Sequence, residues 1–398
     1  MIKKNAPIFL FILLLAGLFW SRALLSIVQG IWALYAIGQL FHSKSFNFKD
    51  PIFIWSLAPL CCWTLGAFQH PLAMANFDYA LTLAVYPATV LVVKTIPTQI
   101  INKQLVYSWL AATAIGLVLP IYWYINHQIG AHNLLGSGQA LPTFMDTDHV
   151  RFSILLCSSV LLLLSASFIT NKMRFALVLL LTILILFLAV RTGWVLLFFI
   201  LIAYCLLIVV EKKSIKPFQV VASIFIVVLL ASAAYYLFPT VQQKIAYTIY
   251  DWQQFQPGKF NANYSDGTRR AINYAAIKSI ESGEGSNIGW SSIPAILNQS
   301  LAHYFSGVNT NFGWPFNQWL FWWMGSDWWG ALLFSAWLFY PAIVGFKQKN
   351  KGIIIWTIAI AISCLAEATL NYQYGVFLHV WPLVILWQKE TILAPDNS

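Results

Sequence analysis

Long apolar segments recur along this chain and set the limits on what it can fold into. Each holds mostly Leu, Ile, Val, Ala, Phe and Trp, and short polar breaks separate one from the next. A helix needs about 20 mainly apolar residues to cross the hydrocarbon core of a bilayer, with a range of about 17–25. On this scale there are twelve candidate spans, at approximately 5–21, 23–41, 51–68, 77–96, 105–125, 150–169, 175–190, 194–210, 218–238, 318–346, 353–369 and 375–388.

This pattern predicts an all-α polytopic membrane protein with about twelve transmembrane helices. The first and last runs are short or interrupted, so eleven helices are an alternative. Lys3 and Lys4 could form the basic region of a signal peptide. However, Trp20-Ser21-Arg22 stands where small residues would mark the cleavage site. We therefore interpret the first run as a membrane helix.

The charge content supports the same class of protein. Only 9% of the residues are charged, whereas soluble domains carry about 25%, and the apolar share of 60% excludes a disordered chain. The formal net charge is +10, but the basic residues are spread singly or in pairs between apolar runs. The predicted partner is therefore a lipid bilayer and not a nucleic acid. The five cysteines lie inside apolar runs and predict neither a disulfide nor a metal site.

The basic residues also predict the orientation. In the twelve-span arrangement, the short loops on one side hold only Arg22, Arg151 and Arg191. Positive residues accumulate in cytoplasmic loops, so both termini are predicted to be cytoplasmic. The other side receives fifteen of the 23 basic residues: Lys3, Lys4, Lys44, Lys49, Lys94, Lys103, Lys172, Arg174, Lys212, Lys213, Lys216, Lys347, Lys349, Lys351 and Lys389.

Three regions follow from this arrangement. Residues 1–238 form a nine-helix transmembrane region, residues 239–317 form a large periplasmic loop, and residues 318–398 form a three-helix transmembrane region. The loop is the only sizeable polar segment, and it begins with an amphipathic pattern from Val241 to Trp252 that predicts a helix.

The outward-facing Arg191 is the first candidate site residue. It lies in a predicted break of about three residues between two apolar helices, followed by Thr192 and Gly193. One interpretation is an interfacial side chain that snorkels to a headgroup phosphate. The other is a planar donor fork that binds a phosphate or pyrophosphate of a substrate.

Arg269 and Arg270 are the next candidates. They follow a polar turn that feeds a helix N-terminus, with Ser265, Asp266 or Thr268 as its predicted cap. Arginine at a helix N-terminus opposes the helix dipole. Each arginine alone could be a solvated loop residue, but three arginines on one face favour a joint anion site.

The second outward loop carries further polar residues. Asp146-Thr147-Asp148 has the D-x-D form of metal-dependent sugar transferases, although solvated loop carboxylates are the preferred interpretation. His149 and Arg151 follow at the mouth of the next helix and could line a cavity. Ionisable residues within spans are functional hypotheses by default. Those in this chain are Asp327, Glu367 and His379.

The layout resembles the O-antigen ligase and O-antigen polymerase family, with about twelve spans, cytoplasmic termini and one large periplasmic loop between the ninth and tenth helices. Short motifs also resemble those of the family. They are Arg191-Thr192-Gly193, the turn Ser265 to Arg270, Gly283-Glu284-Gly285, Phe316-Asn317 before the tenth helix, and the Gly-rich bend Gly325 to Gly330.

The resemblance implies a GT-C-like fold, a location in the inner (plasma) membrane of a bacterium and a transfer reaction on the periplasmic face. The donor would be a glycan on undecaprenyl pyrophosphate, and the acceptor lipid A-core or another glycan. Arg191, Arg269, Arg270 and Arg151 would bind the pyrophosphate and stabilise the charge on the leaving group. The resemblance implies no metal and no cofactor.

Phe316 departs from the family pattern, because ligases carry a histidine before Asn317 as their proposed base. His303 in the long loop is the first replacement candidate and His149 is the second. The leading hypothesis is a ligase-type glycosyltransferase. The alternatives are a polymerase that joins lipid-linked repeat units and, from another class, a transporter or flippase for lipid-linked sugars.

Overall fold

The computed structural model of the protein describes residues 2–43, 49–68, 74–97, 100–145, 148–211, 232–254, 265–305 and 311–388, together with positions 218, 225, 228 and 229. Every regular element in these residues is a helix, and no strand occurs among them. The prediction of an all-helical chain is therefore confirmed. In the described part of the chain, four helices are long and apolar enough to cross a membrane: Arg22–His42, Lys103–Asn126, Arg191–Ile208 and Gln318–Gln348.

The helices are numbered here in chain order. They are α1 (Ile2–Trp20), α2 (Arg22–Ser43), α3 (Pro51–Phe68), α4 (Met74–Leu83), α5 (Val85–Lys94), α6 (Val106–Asn126), α7 (Gln128–Gly136), α8 (His149–Ser165), α9 (Asn171–Phe187), α10 (Arg191–Glu211), α11 (Pro239–Gln254), α12 (Ser265–Glu281), α13 (Ile293–Tyr304), α14 (Gln318–Gln348), α15 (Lys351–Ala366) and α16 (Gln373–Gln388). Shorter turns of π- or 3-10 helix lie at Ile100–Leu105, Trp290–Ser292 and Thr369–Asn371.

Two elements differ from the sequence prediction. The run at 77–96 is not one helix, because α4 and α5 meet at Ala84. The break between α9 and α10 comprises residues 188–190, where Ala189 has a φ of 54°. The connection has the predicted length of three residues, but Arg191 is the first residue of α10 and does not belong to it.

Some predicted features lie outside the described residues. The ninth predicted span, at 218–238, is described only in part. Asp146 and Thr147 of the D-x-D motif lie outside too, as do several basic residues used for the orientation. These are Lys44, Lys212, Lys213, Lys216 and Lys389.

The centre of the bundle is built from helices that are apolar on all sides. Helix α16 is buried along almost its whole length, with Phe377 and Trp381 fully enclosed, and α8 and α15 are buried nearly as completely. Helix α10 packs on α8 and on α15, and α16 packs on α8. An all-round apolar surface belongs to a helix surrounded by protein or lipid, so these helices form the core that positions the polar residues at its end.

A glycine brings α8 and α10 close together near their N-termini. A Cβ atom at Gly193 would lie 2.8 Å from the Cβ of Ser153, which is closer than real side-chain atoms approach. The Cys157 thiol also donates to the Gly193 carbonyl at 3.4 Å. Gly193 therefore has a packing role, and the close contact holds the start of α10 beside the start of α8.

Helices α11, α12 and α13 form a group against one end of the bundle. Helix α11 confirms the amphipathic helix predicted from Val241 to Trp252, and it packs on α12 and α7. Helix α12 packs on α13 and on α14. The chain segment that the sequence predicts as a large loop is thus itself helical wherever it forms regular structure in the described residues.

Helix α14 is interrupted at the Gly-rich bend. Ser326 and Asp327 leave helical geometry, and Asp327 has a φ of 68° and a ψ of −177°. Non-glycine residues rarely occupy this region, so the surroundings must hold it in place. The Ser286 hydroxyl donates to the Asp327 carboxylate at 2.7 Å, and the Trp290 ring occupies the space that a side chain at Gly325 would need. The kink is therefore where the segment before α13 docks on α14.

Candidate functional site

Four helices begin at the same end of the bundle, next to α12. The side chain of Gln318, the first residue of α14, donates to Asn371 at 2.5 Å just before α16. Tyr372, beside the start of α16, lies under Arg151 near the start of α8. Helix α10 starts beside α8 because Gly193 packs on Ser153. The polar residues at these helix starts and on α11 and α12 form the candidate site.

Arg191 projects from the start of α10 onto α11 and α12. Its Nη1 donates to the Thr248 hydroxyl at 3.0 Å and forms an ion pair with the Asp266 carboxylate. Its side chain is only 22% exposed. The guanidinium is therefore held by protein partners, and this geometry differs from an interfacial side chain that reaches only lipid headgroups.

Arg270 occupies the second turn of α12, next to Asp251 and Asp266. Its Nη2 lies 3.9 Å from the Asp251 carboxylate and its Nε donates to the Asp266 carbonyl at 3.4 Å. Its guanidinium also lies 4.5 Å from the centre of the Trp252 ring. Arg270 and Arg191 thus converge on one residue, Asp266.

The start of α12 is capped from outside the predicted turn. The amide groups of Asp266 and Gly267 donate to the two Asp251 carboxylate oxygens, at 2.7 Å and 3.0 Å. Asp251 on α11 therefore supplies an acceptor for the first amides of α12 from outside the predicted turn, and the Asp266 carboxylate binds Arg191. The cap predicted from Ser265, Asp266 or Thr268 stays a prediction, because the Ser265 side chain lies outside the described residues.

Arg269 points away from Arg270, towards the start of α14 and the end of α15. Its Nη2 forms an ion pair with Glu367, whose side chain is only 4% exposed. Its guanidinium lies 5.5 Å from the centre of the Phe316 ring. The structure therefore places the residue in the histidine position of the motif directly against one of the candidate arginines.

Arg151 is the most deeply buried of the four arginines. Its side chain is 6% exposed, its Nη1 lies 3.3 Å from the Asp148 carboxylate, and its guanidinium lies 4.0 Å from the centre of the Tyr372 ring. Asp148 also caps α8 by accepting from the Arg151 amide at 3.0 Å. The Nε and Nη2 atoms of Arg151 have no hydrogen-bond partner among the described residues. An unpaired buried donor is costly, so Arg151 has donor capacity for an anion.

Lys244 is a site residue that the sequence analysis missed. It lies on α11, is 4% exposed, and donates through Nζ to the carbonyls of Gly138 and Gln139, at 3.0 Å for Gln139. Burial lowers the pKa of Lys244 to about 7, with the charge of Arg191 acting in the same direction, Asp266 opposing it and Arg269 adding to it. The sequence around Lys244 gives no signal of this burial or of the lowered pKa, because both depend on the turn at Gly138 and Gln139, which lies 105 residues away for Gln139.

The two candidate histidines occupy different surroundings. His303, in the last turn of α13, is exposed, and its ring contacts Tyr304 with 4.8 Å between ring centres. His149 is the first residue of α8 and is partly buried. The assignment of either histidine as the base stays a prediction.

Asn317 of the motif has a structural position at the start of α14. Its side-chain oxygen accepts from the amides of Trp319 and Leu320, at 2.9 Å and 3.3 Å, and so caps the helix. Its side-chain amide donates to the Leu365 carbonyl at 3.3 Å. Asn317 therefore ties the start of α14 to the end of α15, next to Glu367.

In the part of the chain that the structure describes, no group of three His, Cys, Asp or Glu side chains is placed to hold a metal ion. A cavity of about 670 Å³ lies between the ends of α2 and α5, where Tyr35, Gln39 and Lys94 are among its lining residues. Its lining includes none of the arginines of the site.

No protein-family model matches the chain, and no curated protein matches it either.

Proposed function

We propose that the protein is a polytopic glycosyltransferase of a bacterial inner membrane, with about twelve spans, both termini in the cytoplasm and residues 239–317 on the periplasmic face. It transfers a glycan from undecaprenyl pyrophosphate to lipid A-core or another acceptor, as an O-antigen ligase does. One observation carries the proposal. Arg191 and Arg270 share Asp266, while the adjacent Arg269 contacts Phe316 at the motif position.

The arrangement suits a leaving pyrophosphate. A guanidinium has five donors in a planar fork that matches phosphate oxygens, and a carboxylate partner fixes the orientation of each fork. Positive helix ends add to this, because α8 and α10 begin beside Arg151 and Arg191. Donors that are fixed in advance stabilise developing charge without reorganisation during the reaction.

Phe316 favours the polymerase as the second candidate. A ring without a basic nitrogen cannot take a proton, so this position departs from the ligase pattern. In a polymerase the acceptor is the sugar of a second lipid-linked repeat unit, and the same arginines would bind the leaving pyrophosphate. The two activities differ only in the acceptor, and supplying purified lipid A-core or a second lipid-linked unit to the same enzyme distinguishes them.

The proposal is tested by replacing Arg191 by Ala and, separately, by Lys. The assay measures release of undecaprenyl pyrophosphate from the lipid-linked glycan of the host membrane, in proteoliposomes of the purified full chain. We expect Arg191→Ala to lower the rate by about 10²-fold or more. Arg191→Lys should restore it only in part, because a point charge does not reproduce a fork.

Arg174→Ala is the matched control. Arg174 also bonds protein acceptors, the carbonyls of Ala166 and Ile169, but it lies at the opposite end of α9 from the site. The Arg174→Ala variant should therefore retain glycan transfer. If Arg191→Ala inserts and folds normally and keeps the wild-type rate, the pyrophosphate site is wrong.

The orientation is tested with single cysteines at exposed positions. Glu284 lies in the predicted periplasmic segment, and Lys349 follows α14 at its other end. An impermeant thiol reagent applied from the periplasmic side should label Glu284→Cys and spare Lys349→Cys. The opposite labelling would refute the orientation and, with it, a periplasmic transfer reaction.

A further inference from the structure

Lys244 is held in a site that fits an amine. The Gly138 and Gln139 carbonyls accept from its Nζ, and the Tyr247 ring lies 5.9 Å away. Gly138 has a φ of 81°, and a side chain there would collide with the Tyr247 ring. The turn that presents the two carbonyls therefore depends on glycine, and it encloses the amine.

The hydrogen bonds of Lys244 match the neutral amine. A charged ammonium has three N–H donors, whereas the described residues offer two acceptors to this nearly enclosed nitrogen. A neutral amine has two N–H donors and one lone pair, so both donors are satisfied and the lone pair remains to accept a proton. No carboxylate lies within ion-pair distance of Lys244 in the described part of the chain.

Lys244 lies next to the arginines of the site. The Thr248 hydroxyl, one helical turn further along α11, donates to the Lys244 carbonyl at 2.7 Å and accepts from Arg191 at 3.0 Å. The charged groups that act on the amine are Arg191 and Arg269, which disfavour its charged form, and Asp266, which favours it. These surroundings keep the amine neutral at physiological pH for a substantial fraction of the time.

We propose that Lys244 is the general base of the transfer reaction, an inference that rests on the proposed function. The lone pair of Nζ takes the proton of the acceptor hydroxyl while that oxygen forms a bond to the anomeric carbon. The bond from the anomeric carbon to the pyrophosphate oxygen breaks, and its electron pair stays on the pyrophosphate. The resulting ammonium returns its proton to water before the next turnover.

This assignment accounts for the missing histidine at Phe316. His303 is exposed on α13, and no described hydrogen bond links it to the arginines. Lys244 is enclosed on the same helix as Thr248, which binds Arg191 one turn further along, and the proposal requires the acceptor hydroxyl to approach the Lys244 Nζ there. A base whose pKa lies near the working pH is also the efficient one.

The test compares Lys244→Gln and Lys244→Arg with the wild type between pH 6 and pH 8.5. Gln keeps two N–H donors for the carbonyls but is not basic, and Arg stays charged throughout this range. The wild-type kcat/KM should rise as pH passes about 7 and then level off, because the neutral amine is the active form. Both variants should lose about 10²–10⁴-fold, and what activity remains should lack this rise.

A purely structural role would leave the shape of the pH profile unchanged. If either variant keeps the wild-type rate, or keeps the rise through about pH 7, Lys244 is not the base. Binding of farnesyl pyrophosphate, measured by its effect on thermal unfolding, should be the same in Lys244→Gln and wild type. This shows that the variant retains a folded site.

A second measurement does not depend on activity. In protein labelled with ¹³C at the lysine Cε, the Lys244 resonance, identified by its loss in Lys244→Arg, should titrate near pH 7. Titration at the ordinary value near 10.5 would overturn the proposal even if Lys244→Gln did not fold. If Arg191→Ala abolishes transfer and Lys244→Gln does not, only the base assignment fails. If the wild type transfers no glycan, the proposed function fails with it.

Discussion

The ion pair between Arg269 and Glu367 should contribute more to stability than any other pair of the site. Glu367 is 4% exposed and Arg269 is 26% exposed. Replacing Arg269 by Met leaves an almost fully buried carboxylate without its cation. Breaking a buried pair in this way costs about 3–5 kcal/mol, so the Arg269→Met variant should unfold much more readily than the wild type.

The two partners should not be equivalent. Replacing Glu367 by Gln leaves Arg269, which water can still reach, so the cost should be about 1 kcal/mol. Removing both charges should cost little more than that, because a buried pair replaced as a whole is often nearly neutral. The double-mutant cycle should therefore give a coupling energy of at least about 2 kcal/mol.

The cycle is measured by SDS-driven unfolding in mixed micelles, followed by tryptophan fluorescence. The pair of Arg191 with Asp266 is the matched control, because the Asp266 side chain is 25% exposed and the Glu367 side chain is 4% exposed, and a carboxylate that water still reaches costs less to leave without its cation. Both arginines are proposed to bind the leaving group, so their Met variants should lose transfer alike but differ in stability. Equal destabilisation by Arg269→Met and Arg191→Met, or a coupling energy near zero, would refute the reasoning.

Three further predictions concern the helix starts and the base. Gly193→Ala should destabilise by about 1–3 kcal/mol through overpacking on Ser153, and Ser153→Gly in the same chain should restore part of the thermal stability. Asn317→Ala should lower the free energy of unfolding by about 1 kcal/mol through loss of the helix cap. Asn317→Asp keeps a capping oxygen, so it should keep most of this stability in the same unfolding assay. His303→Ala and His149→Ala should keep transfer rates near the wild type, and a 10²-fold loss in either would return the base to that histidine.

Sequence alone could predict the elements that depend on local pattern. The length of each apolar run predicts a helix because a segment inside a bilayer must satisfy its own backbone hydrogen bonds, and the glycines near Gly325 predict the interruption of α14. The break at Ala84 was missed because the residues around it are as apolar as those of an uninterrupted helix. Helices α7 and α13 were also missed, since they lie in segments rich in polar residues and glycine.

The partners of the candidate residues could not be predicted. Arg191 pairs with Asp266 and Arg269 pairs with Glu367, across distances of 75 and 98 residues in the chain (266 − 191 and 367 − 269). Such pairs depend on how α10, α12 and α15 pack, which no local pattern contains. The arginines could be identified from their residue type and from the side of the membrane on which they were predicted to lie. No sequence pattern connects Lys244 with them.

The pairing of each arginine with a carboxylate has a consequence for turnover. Among the residues that the structure describes, the site holds five basic side chains, Arg151, Arg191, Arg269, Arg270 and Lys244, and four acidic ones, Asp148, Asp251, Asp266 and Glu367. With Lys244 neutral, the charges cancel. A pyrophosphate would then be held by directed hydrogen bonds and only weakly by long-range attraction, which salt screens. We expect product inhibition by undecaprenyl pyrophosphate to be modest and nearly independent of ionic strength, so that the enzyme releases a highly charged product rather than retaining it.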